Sequence, residues 1–401
     1  MPSALAKSLT LAMPSASVGS LPPRRADAPR SAYVHVPFCA RRCGYCNFSV
    51  VAGRDELVPR YLAALERELA GLQQPRGVAT LYLGGGTPTR LSLGELERLL
   101  ELVQAWFRPL PQAEVTVEAN PADVTRDLAA LLARYGVNRV SLGAQSLDAA
   151  KLRALERDHT PDDVRRAVDL LRARVPAVSL DLIFAAPGEH LGCWAEDVRA
   201  ALRLAPDHLS TYGLTIERGT TYYGRWRRGQ LARPDEETEA AMYELAIDAI
   251  SAAGYEHYEV SNFARPGCRS RHNEAYWTGR EYFAAGPGAA RYVDGCREVN
   301  HGSTFTWMAR LFAGESPVAL REQLPPEDRA REALVLGLRR LEGIDRRCFI
   351  QQTGFDLDAL GGAALRRHVQ WGLLLDEGWR IRLSRRGLLV SDSLWADYLR
   401  V

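Results

Sequence analysis

The sequence predicts an α/β protein in which a mostly parallel sheet forms a partial (β/α)6 barrel, followed by a smaller α+β domain. Two observations predict the barrel. First, β-like runs and helical patterns alternate six times between residues 33 and 216. Second, a helix lies between each strand and the next, and strands connected in this way run parallel to each other through right-handed crossovers. A closed eight-fold barrel would need two more such units, so the sequence favours a barrel that stays open.

Each predicted strand is a short apolar or alternating run, and helical patterns with a 3.6-residue period lie between the strands. The predicted strands are residues 33–36, 80–83, 114–118, 139–143, 178–184 and 209–216. The predicted helices are residues 55–71, 93–107, 123–135, helical stretches that reach residue 174, and 194–204. Ligands of parallel sheets bind beyond the carboxyl ends of the strands, so we expect the functional residues at that end.

We expect three parts: an extension at 1–30, the barrel at 31–265 and the second domain at 266–401. Residues 1–30 are rich in Ser, Ala and Pro and hold one acid, Asp27, which is typical of a disordered extension. A cleavable targeting peptide, also poor in acids, is the alternative. In the second domain, helical patterns at 330–341, 349–353 and 363–376, short strands at 381–383 and 388–390 and a helix at 393–399 predict a winged-helix-like module.

The composition excludes several classes of protein. Of 401 residues, 46% are hydrophobic and 25% charged, with a formal net charge of +2. These values are typical of a globular chain, and the near balance of charge argues against a nucleic-acid partner. Four of the seven cysteines are widely scattered, unlike a secreted disulfide framework. The sequence therefore predicts a cytoplasmic protein.

The other three cysteines, Cys39, Cys43 and Cys46, form a C-x3-C-x2-C group directly after the first predicted strand. Thiolates this close in sequence can converge on one soft metal centre, which would be zinc or an iron–sulfur cluster. Structural zinc needs four protein ligands, and His35 is the nearest candidate for the fourth. A four-iron cluster that is held by three cysteines keeps one iron free. The number of cysteines therefore favours the cluster.

Three consecutive glycines at 84–86, followed by Thr87 and Pro88, come after the second predicted strand. Without Cβ atoms, this backbone can approach a ligand closely and adopt positive φ, although alone the run is only a turn signal. Further polar residues lie at or just beyond later strand ends, namely Glu118, Gln145, Arg157 and Asp181. Carboxylates and amides suit a ribose diol, and arginine suits a carboxylate. In isolation, each of these residues could equally be a helix cap or a surface ion pair.

Together these motifs resemble the radical S-adenosylmethionine (SAM) superfamily. Residues 33–39, which read Y-V-H-V-P-F-C, are similar to one branch: the oxygen-independent coproporphyrinogen III oxidases and the heme chaperones called HemW. The resemblance implies a partial radical SAM barrel with a HemN-type C-terminal domain. It also implies that Cys39, Cys43 and Cys46 ligate a [4Fe–4S] cluster, whose free iron binds the amino and carboxylate groups of SAM.

The resemblance further implies which residues surround SAM. They are Gly85, Gly86, Thr87, Glu118, Gln145, Arg157 and Asp181, with Tyr33 and Tyr45 beside the cluster. Two positions depart from the family pattern. Glu156 stands where the family usually has glycine before the matched arginine, and Ala185 replaces the first glycine of a G-L-P-G-Q segment. Because alanine has fewer backbone conformations than glycine, we expect a reshaped loop at Ala185.

Residues 272–277, H-N-E-A-Y-W, resemble the H-N-x-x-Y-W motif that is associated with heme binding in the chaperones. A neutral imidazole such as that of His272 can ligate heme iron, and aromatic rings pack on a porphyrin. Without the resemblance, a turn histidine beside core aromatics is the simpler interpretation. The oxidases carry a fourth cysteine two residues after the third, where this chain has Phe48.

The resemblance therefore implies a heme chaperone that binds heme and passes it to a heme-accepting apoprotein, with the cluster and SAM in a supporting role. The alternative is the radical oxidative decarboxylation of coproporphyrinogen III. Either function implies an electron donor that reduces the cluster. An acceptor in the membrane that is met transiently, and a homodimer, stay open alternatives.

Overall fold

One large sheet organises the chain. The computed structural model describes residues 30–399, so the predicted extension, apart from its last residue, lies outside the described residues. The strands are, in chain order, β1 Arg30–Val36, β2 Phe38–Cys39, β3 Val51–Ala52, β4 Arg76–Gly85, β5 Phe107–Ala119, β6 Arg139–Gln145, β7 Ala177–Phe184, β8 His208–Gly213, β9 Glu256–Glu259, β10 Asn262–Ala264, β11 Tyr282–Ala285, β12 Ala290–Val293, β13 Cys296–Asn300, β14 Val318–Gln323, β15 Ile344–Asp345, β16 Leu374–Asp376 and β17 Arg380–Leu383.

The six predicted strands correspond to β1, β4, β5, β6, β7 and β8. They are neighbours in that order, and every pair is parallel, which confirms the α/β partial barrel. The sheet is larger than predicted, however, because its full order is β14-β13-β12-β11-β1-β4-β5-β6-β7-β8-β10-β9. On the far side of β1, β11 adds a seventh parallel strand. Antiparallel strands extend the sheet beyond β11 and β8. The division of the chain at residue 265 stays a prediction.

Helices cover the sheet and connect its strands. The α-helices are Val58–Ala70, Leu93–Trp106, Arg126–Arg134, Ala149–Ala154, Pro161–Arg172, Leu191–Arg203, Thr221–Arg227, Glu236–Ala252, Arg271–Trp277, Thr304–Phe312, Pro326–Leu338, Arg346–Thr353, Leu357–Gln370, Arg385–Leu389 and Ser391–Leu394. Local sequence sets many of their starts. For example, Ser92 and Glu95 form a reciprocal capping box at the start of the second helix, which satisfies two backbone donors that would otherwise lack partners.

Alternate residues of the parallel strands face two different environments. Apolar residues such as Val34, Leu81 and Val140 are fully buried in the main hydrophobic core. Polar residues alternate with them, and these contact one another across neighbouring strands. Ser141 of β6, for instance, donates to Asp181 of β7 at 3.0 Å. The barrel interior is therefore polar.

Glu68, from the first long helix, ties the late strands to the barrel. Its carboxylate accepts hydrogen bonds from the Gly286 amide at 2.8 Å, from Asn300 Nδ2 at 2.6 Å and from Trp307 Nε1 at 3.1 Å. Burial raises the pKa of Glu68 to about 7, although these three bonds oppose the rise. The Glu68 carboxylate therefore holds the turn after β11, the end of β13 and the helix Thr304–Phe312 against the barrel.

The C-terminal module combines a three-stranded sheet, in the order β15-β17-β16, with the helices Pro326–Leu338, Arg346–Thr353 and Leu357–Gln370. This arrangement agrees with the predicted winged-helix-like module of helices and short strands, but the predicted strand at 388–390 is wrong. Residues Arg385–Leu389 are helical, and Ser384 caps that helix by accepting from the Gly387 amide at 2.9 Å. A three-residue apolar run is too short for its period to separate strand from helix. Among residues 30–399, no helix is long and apolar enough to cross a membrane.

Candidate functional site

The three cysteines of the C-x3-C-x2-C group lie at the carboxyl end of β1. Cys39 ends the short strand β2, which pairs with β3, and its carbonyl accepts from the Gly53 amide at 3.1 Å. A turn closes between the Cys43 carbonyl and the Cys46 amide at 3.0 Å. All three thiols are free and partly buried. Burial raises the pKa of Cys39 to about 12, and the neighbouring Cys46 and Cys43 add to this rise, which indicates that the thiols share one pocket.

The zinc interpretation does not fit this pocket, because His35 is already engaged. Its Nδ1 lies 3.0 Å from the Tyr33 hydroxyl, and its Nε2 lies 2.8 Å from the Ser49 carbonyl. In the described part of the chain, no three Cys, His, Asp or Glu side chains converge tightly enough to ligate one metal ion. A four-iron cluster differs, because each cysteine binds its own iron and the sulfurs stand further apart. Three free thiols with no fourth ligand fit such a cluster.

The glycine turn packs directly against the cysteine loop. The amides of Gly86 and Thr87 donate to the carbonyls of Val36 at 2.8 Å and Phe38 at 2.7 Å. A Cβ on Gly86 would stand 2.7 Å from both of those carbonyl oxygens, so no larger residue fits. The Thr87 hydroxyl lies 3.7 Å from the Cys39 sulfur. The two motifs predicted to bind the cluster and SAM therefore form one hydrogen-bonded unit.

Glu118 joins this unit from the end of β5. Its carboxylate accepts from the Gly85 amide at 2.9 Å and from the Tyr82 hydroxyl at 2.7 Å. Burial raises the pKa of Glu118 to about 7, and the nearby charge of Asp181 contributes, while the two hydrogen bonds oppose the rise. Asp181 accepts from Ser141, and its pKa is raised to about 6, again by burial. Two half-buried carboxylates with raised pKa values thus lie close enough to influence each other at this end of the barrel.

Arg157 brings a positive charge to the cysteines. Its Nη1 lies 3.6 Å from the Cys43 sulfur, and its Nη2 donates to the Gly143 carbonyl at 3.1 Å. A Cβ on Gly143 would stand 3.0 Å from Gln145 Nε2 and 3.6 Å from Arg157 Nη2, so Gln145 and Arg157 flank the same glycine. Among the described residues, the Nε of Arg157 is buried without a hydrogen-bond partner. A buried, unpaired donor beside the cysteines fits a ligand that carries a carboxylate.

The two tyrosines predicted beside the cluster occupy different positions. Tyr33 lies in β1, where its hydroxyl contacts His35 and its ring lies 6.0 Å from that of Tyr82. Tyr45 belongs to the cysteine loop, and its ring meets Tyr222 edge-on at 6.1 Å. Burial raises the pKa of Tyr45, and charge on Cys43 adds to the rise while Arg157 opposes it. Tyr45 is therefore adjacent to the cysteines, whereas Tyr33 faces the barrel interior.

Glu156 and Ala185, the two residues that depart from the family pattern, both have positive φ, a backbone conformation that favours glycine. Glu156 has φ +56°, Ala185 has φ +58°, and the nearby Gln145 has φ +60°. Glu156 is held there by an ion pair with Arg225 at 2.7 Å, and its carbonyl lies 3.8 Å from the Cys43 sulfur. Alanine therefore does not force the loop at 185 out of the left-handed region. The chain keeps the conformation and bears the strain instead.

His272 lies at the opposite end of the barrel from the cysteines. The helix Arg271–Trp277 contacts the amino ends of the strands, since the His272 amide donates to Glu114 at 3.0 Å and its Nδ1 lies 2.8 Å from the Thr80 hydroxyl. Nε2 lies 2.9 Å from the Tyr276 hydroxyl. Burial lowers the pKa of His272 to about 3. The ring is thus neutral and buried, and both nitrogens have partners.

Sequence reasoning missed Tyr82, which lies between the two ends. Its hydroxyl binds Glu118, and its ring stacks on His272 with centroids 5.0 Å apart and an interplanar angle of 28°. Alternation in the run T-L-Y-L-G at 80–84 was the available signal, because it places Tyr82 on the same face as Thr80 and Gly84. The sequence could not show what that face contacts.

Comparisons with known proteins find similarity over both parts of the chain. A family model described as "Radical SAM superfamily" matches residues 33–201, and one described as "HemN C-terminal domain" matches residues 324–390. The "Heme chaperone HemW" of Bacillus subtilis is 33% identical over 377 residues, which cover 92% of this chain and 99% of that protein. The protein with the same name in Mycobacterium tuberculosis is 39% identical over 380 residues, with 91% and 94% covered.

Among solved structures, the coproporphyrinogen III oxidase (HemN) from Escherichia coli, described as a radical SAM enzyme, superposes with a TM-score of 0.82. The match covers 92% of this chain and 90% of that one, at 22% sequence identity. At this identity the likeness shows the fold alone: an α/β radical SAM domain followed by a HemN-type C-terminal domain.

Proposed function

The chain belongs to the heme chaperone HemW family within the radical SAM superfamily, and from that membership we propose that it binds heme and transfers it to an acceptor protein. The observation that carries this proposal is identity of 33% and 39% to two chaperones over more than nine-tenths of the chain. Phe48 supports it, because a phenyl ring cannot replace the fourth cysteine of the oxidases as an acid or a ligand.

The cofactors that membership implies are a [4Fe–4S] cluster and SAM, with heme as cargo. We assign the cluster to Cys39, Cys43 and Cys46, and SAM to the glycine turn and the polar residues around it. Three observations support this assignment: free thiols in one pocket, a turn without room for a Cβ, and the unpaired Nε of Arg157. When bound, these groups supply one-electron chemistry, while the protein holds and shields them.

His272 is our proposed heme ligand, and its surroundings set a condition on that role. Residue His272 is 1% exposed, so the side chains that cover its ring have to open before iron can reach a nitrogen. Nε2 then exchanges the Tyr276 hydroxyl for iron, while Thr80 keeps Nδ1 and orients the ring, as a second partner does for other metal-bound histidines. The low pKa favours this exchange, because a neutral imidazole needs no deprotonation to bind a metal.

The remaining partners follow from the same chemistry. The cluster needs an external one-electron donor, and the heme needs an acceptor apoprotein. We place the protein in the cytoplasm, where reducing conditions keep cysteine thiols available. A membrane-bound acceptor and a homodimer are compatible with this proposal.

Heme titration followed by Soret absorbance tests the chaperone function. We expect wild-type protein to bind heme stably and His272→Ala to bind it more weakly. Tyr276→Phe should bind at least as well as wild type, because it releases Nε2. His208→Ala is a matched control, since His208 is equally buried and contacts two hydroxyls, of Ser179 and Tyr258, at 2.8 Å each.

The alternative function is tested on the same samples. Under anaerobic, reducing conditions with SAM, we expect no conversion of coproporphyrinogen III to protoporphyrinogen IX. Multiple-turnover decarboxylation would overturn the chaperone proposal. Equal heme binding by His272→Ala and wild type would remove His272 as the ligand.

A further inference from the structure

Tyr82 contacts both the residues that we propose to hold SAM and the helix of our proposed heme ligand, His272. At one end of its side chain, the hydroxyl donates to Glu118 Oε1 at 2.7 Å. The other oxygen of that carboxylate accepts from the Gly85 amide at 2.9 Å. On its face, the Tyr82 ring stacks on His272 at 5.0 Å, and the Tyr33 ring lies 6.0 Å away. A single side chain therefore contacts both the proposed SAM site and the helix of the H-N-x-x-Y-W motif.

We infer that Tyr82 is a positioning residue for SAM: its hydroxyl holds the Glu118 carboxylate against the Gly85 amide, and His272 holds the Tyr82 ring from the amino end of the barrel. The inference rests on the proposed SAM site and adds a second role for His272. That role does not need heme. The H-N-x-x-Y-W helix then supports SAM binding even in heme-free protein.

Glu118 needs donors that fix its orientation, because its carboxylate is partly withdrawn from water and lies near a second acid, Asp181. A buried carboxylate without enough donors either takes up a proton or turns toward water. Tyr82 and Gly85 supply one donor to each oxygen, so together they fix the plane of the carboxylate. If Tyr82 loses its hydroxyl, one oxygen is left without this donor and the Gly85 contact no longer defines a single orientation.

His272 is suited to hold the Tyr82 ring because every polar atom of its ring has a fixed partner. Thr80 and Tyr276 lie 2.8 Å and 2.9 Å from its two nitrogens, and its backbone amide is bound to Glu114. The Thr80 contact joins residues 192 positions apart in sequence. A ring anchored in this way restricts the Tyr82 ring that stacks on it.

The pH dependence of SAM binding reports the same arrangement. Burial, together with Asp181, raises the pKa of Glu118, and the hydrogen bond from Tyr82 opposes this rise, so that the pKa stands at about 7. The other titratable groups that face Glu118 are Tyr33, Tyr212 and Tyr276, whose pKa values burial raises well above the neutral range, so they stay uncharged. SAM carries a positive sulfonium, which favours an ionised Glu118. We expect wild-type affinity to fall below about pH 7, and in Tyr82→Phe to fall from a higher pH.

The experiment measures SAM affinity of heme-free, cluster-loaded protein by equilibrium dialysis, together with the change that SAM causes in the EPR spectrum of the reduced cluster. We expect Tyr82→Phe and His272→Ala to bind SAM about 10-fold more weakly, which corresponds to about 1.4 kcal/mol. Their iron content should equal that of wild type. Tyr61→Phe is the matched control, because Tyr61 is a buried tyrosine of the same barrel whose hydroxyl donates to the His35 carbonyl at 2.8 Å.

His208→Ala is the control for His272→Ala, and both control variants should stay within twofold of wild type in SAM affinity. Wild-type affinity and an unchanged pH profile in Tyr82→Phe overturn the inference, whatever His272→Ala does. The heme proposal is judged separately. If His272→Ala loses heme but keeps SAM affinity, heme ligation stands and the supporting role of His272 is wrong. If it loses SAM affinity but keeps heme, the reverse holds.

Discussion

Gly85 offers the sharpest test of the SAM site, because any side chain there meets a fixed neighbour. Its φ is +108°, and a Cβ would stand 2.3 Å from both Cε1 and Nδ1 of His35. That ring cannot move aside freely, since the Tyr33 hydroxyl and the Ser49 carbonyl hold its two nitrogens at 3.0 Å and 2.8 Å. The change Gly85→Ala therefore adds strain to the backbone and overlap with an anchored ring.

The expected cost has two parts. Forcing an L-residue into the left-handed region costs about 1–2 kcal/mol, and overpacking a site that cannot relax costs about 1–3 kcal/mol more. Gly219→Ala separates the two, because Gly219 also has positive φ, +85°, and a Cβ there would meet no atom within 4 Å. We expect Gly219→Ala to bear the first cost alone, and Gly85→Ala to bear both.

Denaturant unfolding gives both free energies from the transition midpoints, and SAM affinity is measured on the same proteins. We expect Gly85→Ala to be less stable than Gly219→Ala by about 1–3 kcal/mol and to bind SAM at least 10-fold more weakly, since the Glu118 contact is disturbed. Equal stability of the two variants, with wild-type SAM affinity in Gly85→Ala, would show that the turn does not hold SAM through close backbone approach.

Three further predictions follow from single residues. Cys43→Ala should lose most of the iron and visible absorption of the reconstituted protein, whereas the exposed Cys348 can be replaced by alanine without loss; near-full iron content in Cys43→Ala contradicts the cluster assignment. The raised pKa of Glu68 means that the folded state holds a proton more tightly than the unfolded state, so stability should fall as pH rises from about 4.5 to about 7, and Glu68→Gln should remove this slope in denaturant titrations at each pH. Ala185→Gly should change stability by less than about 1 kcal/mol, because relief of left-handed strain offsets the loss of one buried methyl. Ala186→Gly, at an equally buried neighbour without positive φ, should be less stable than Ala185→Gly by about 1–2 kcal/mol, and equal stability of the two would contradict the strain.

The sequence predicted the carboxyl end of the barrel better than its interior. Strand periodicity placed Cys39, Gly85 and Glu118 near predicted strand ends, and the resemblance to the radical SAM superfamily then assigned them, with Arg157, to one site. The strand β11 was missed, since a four-residue strand that pairs with the first strand of the chain has no local signal. The same reason hid the contact between Tyr82 and His272, which depends on packing between segments that lie far apart in the sequence.

The positions of the two proposed sites restrict how they can cooperate. Thr80, which contacts His272, and Gly85, which packs on the cysteine loop, both lie in β4. At about 3.3 Å per residue their backbones are separated by roughly 16 Å, and the rings of Tyr82 and His272 fill part of that distance. A heme iron on His272 would therefore not touch a cluster on Cys39, Cys43 and Cys46, and a radical formed at the carboxyl end would have to cross the barrel to reach it. If His272 ligates the heme, direct contact between the cluster and the heme iron is thus disfavoured.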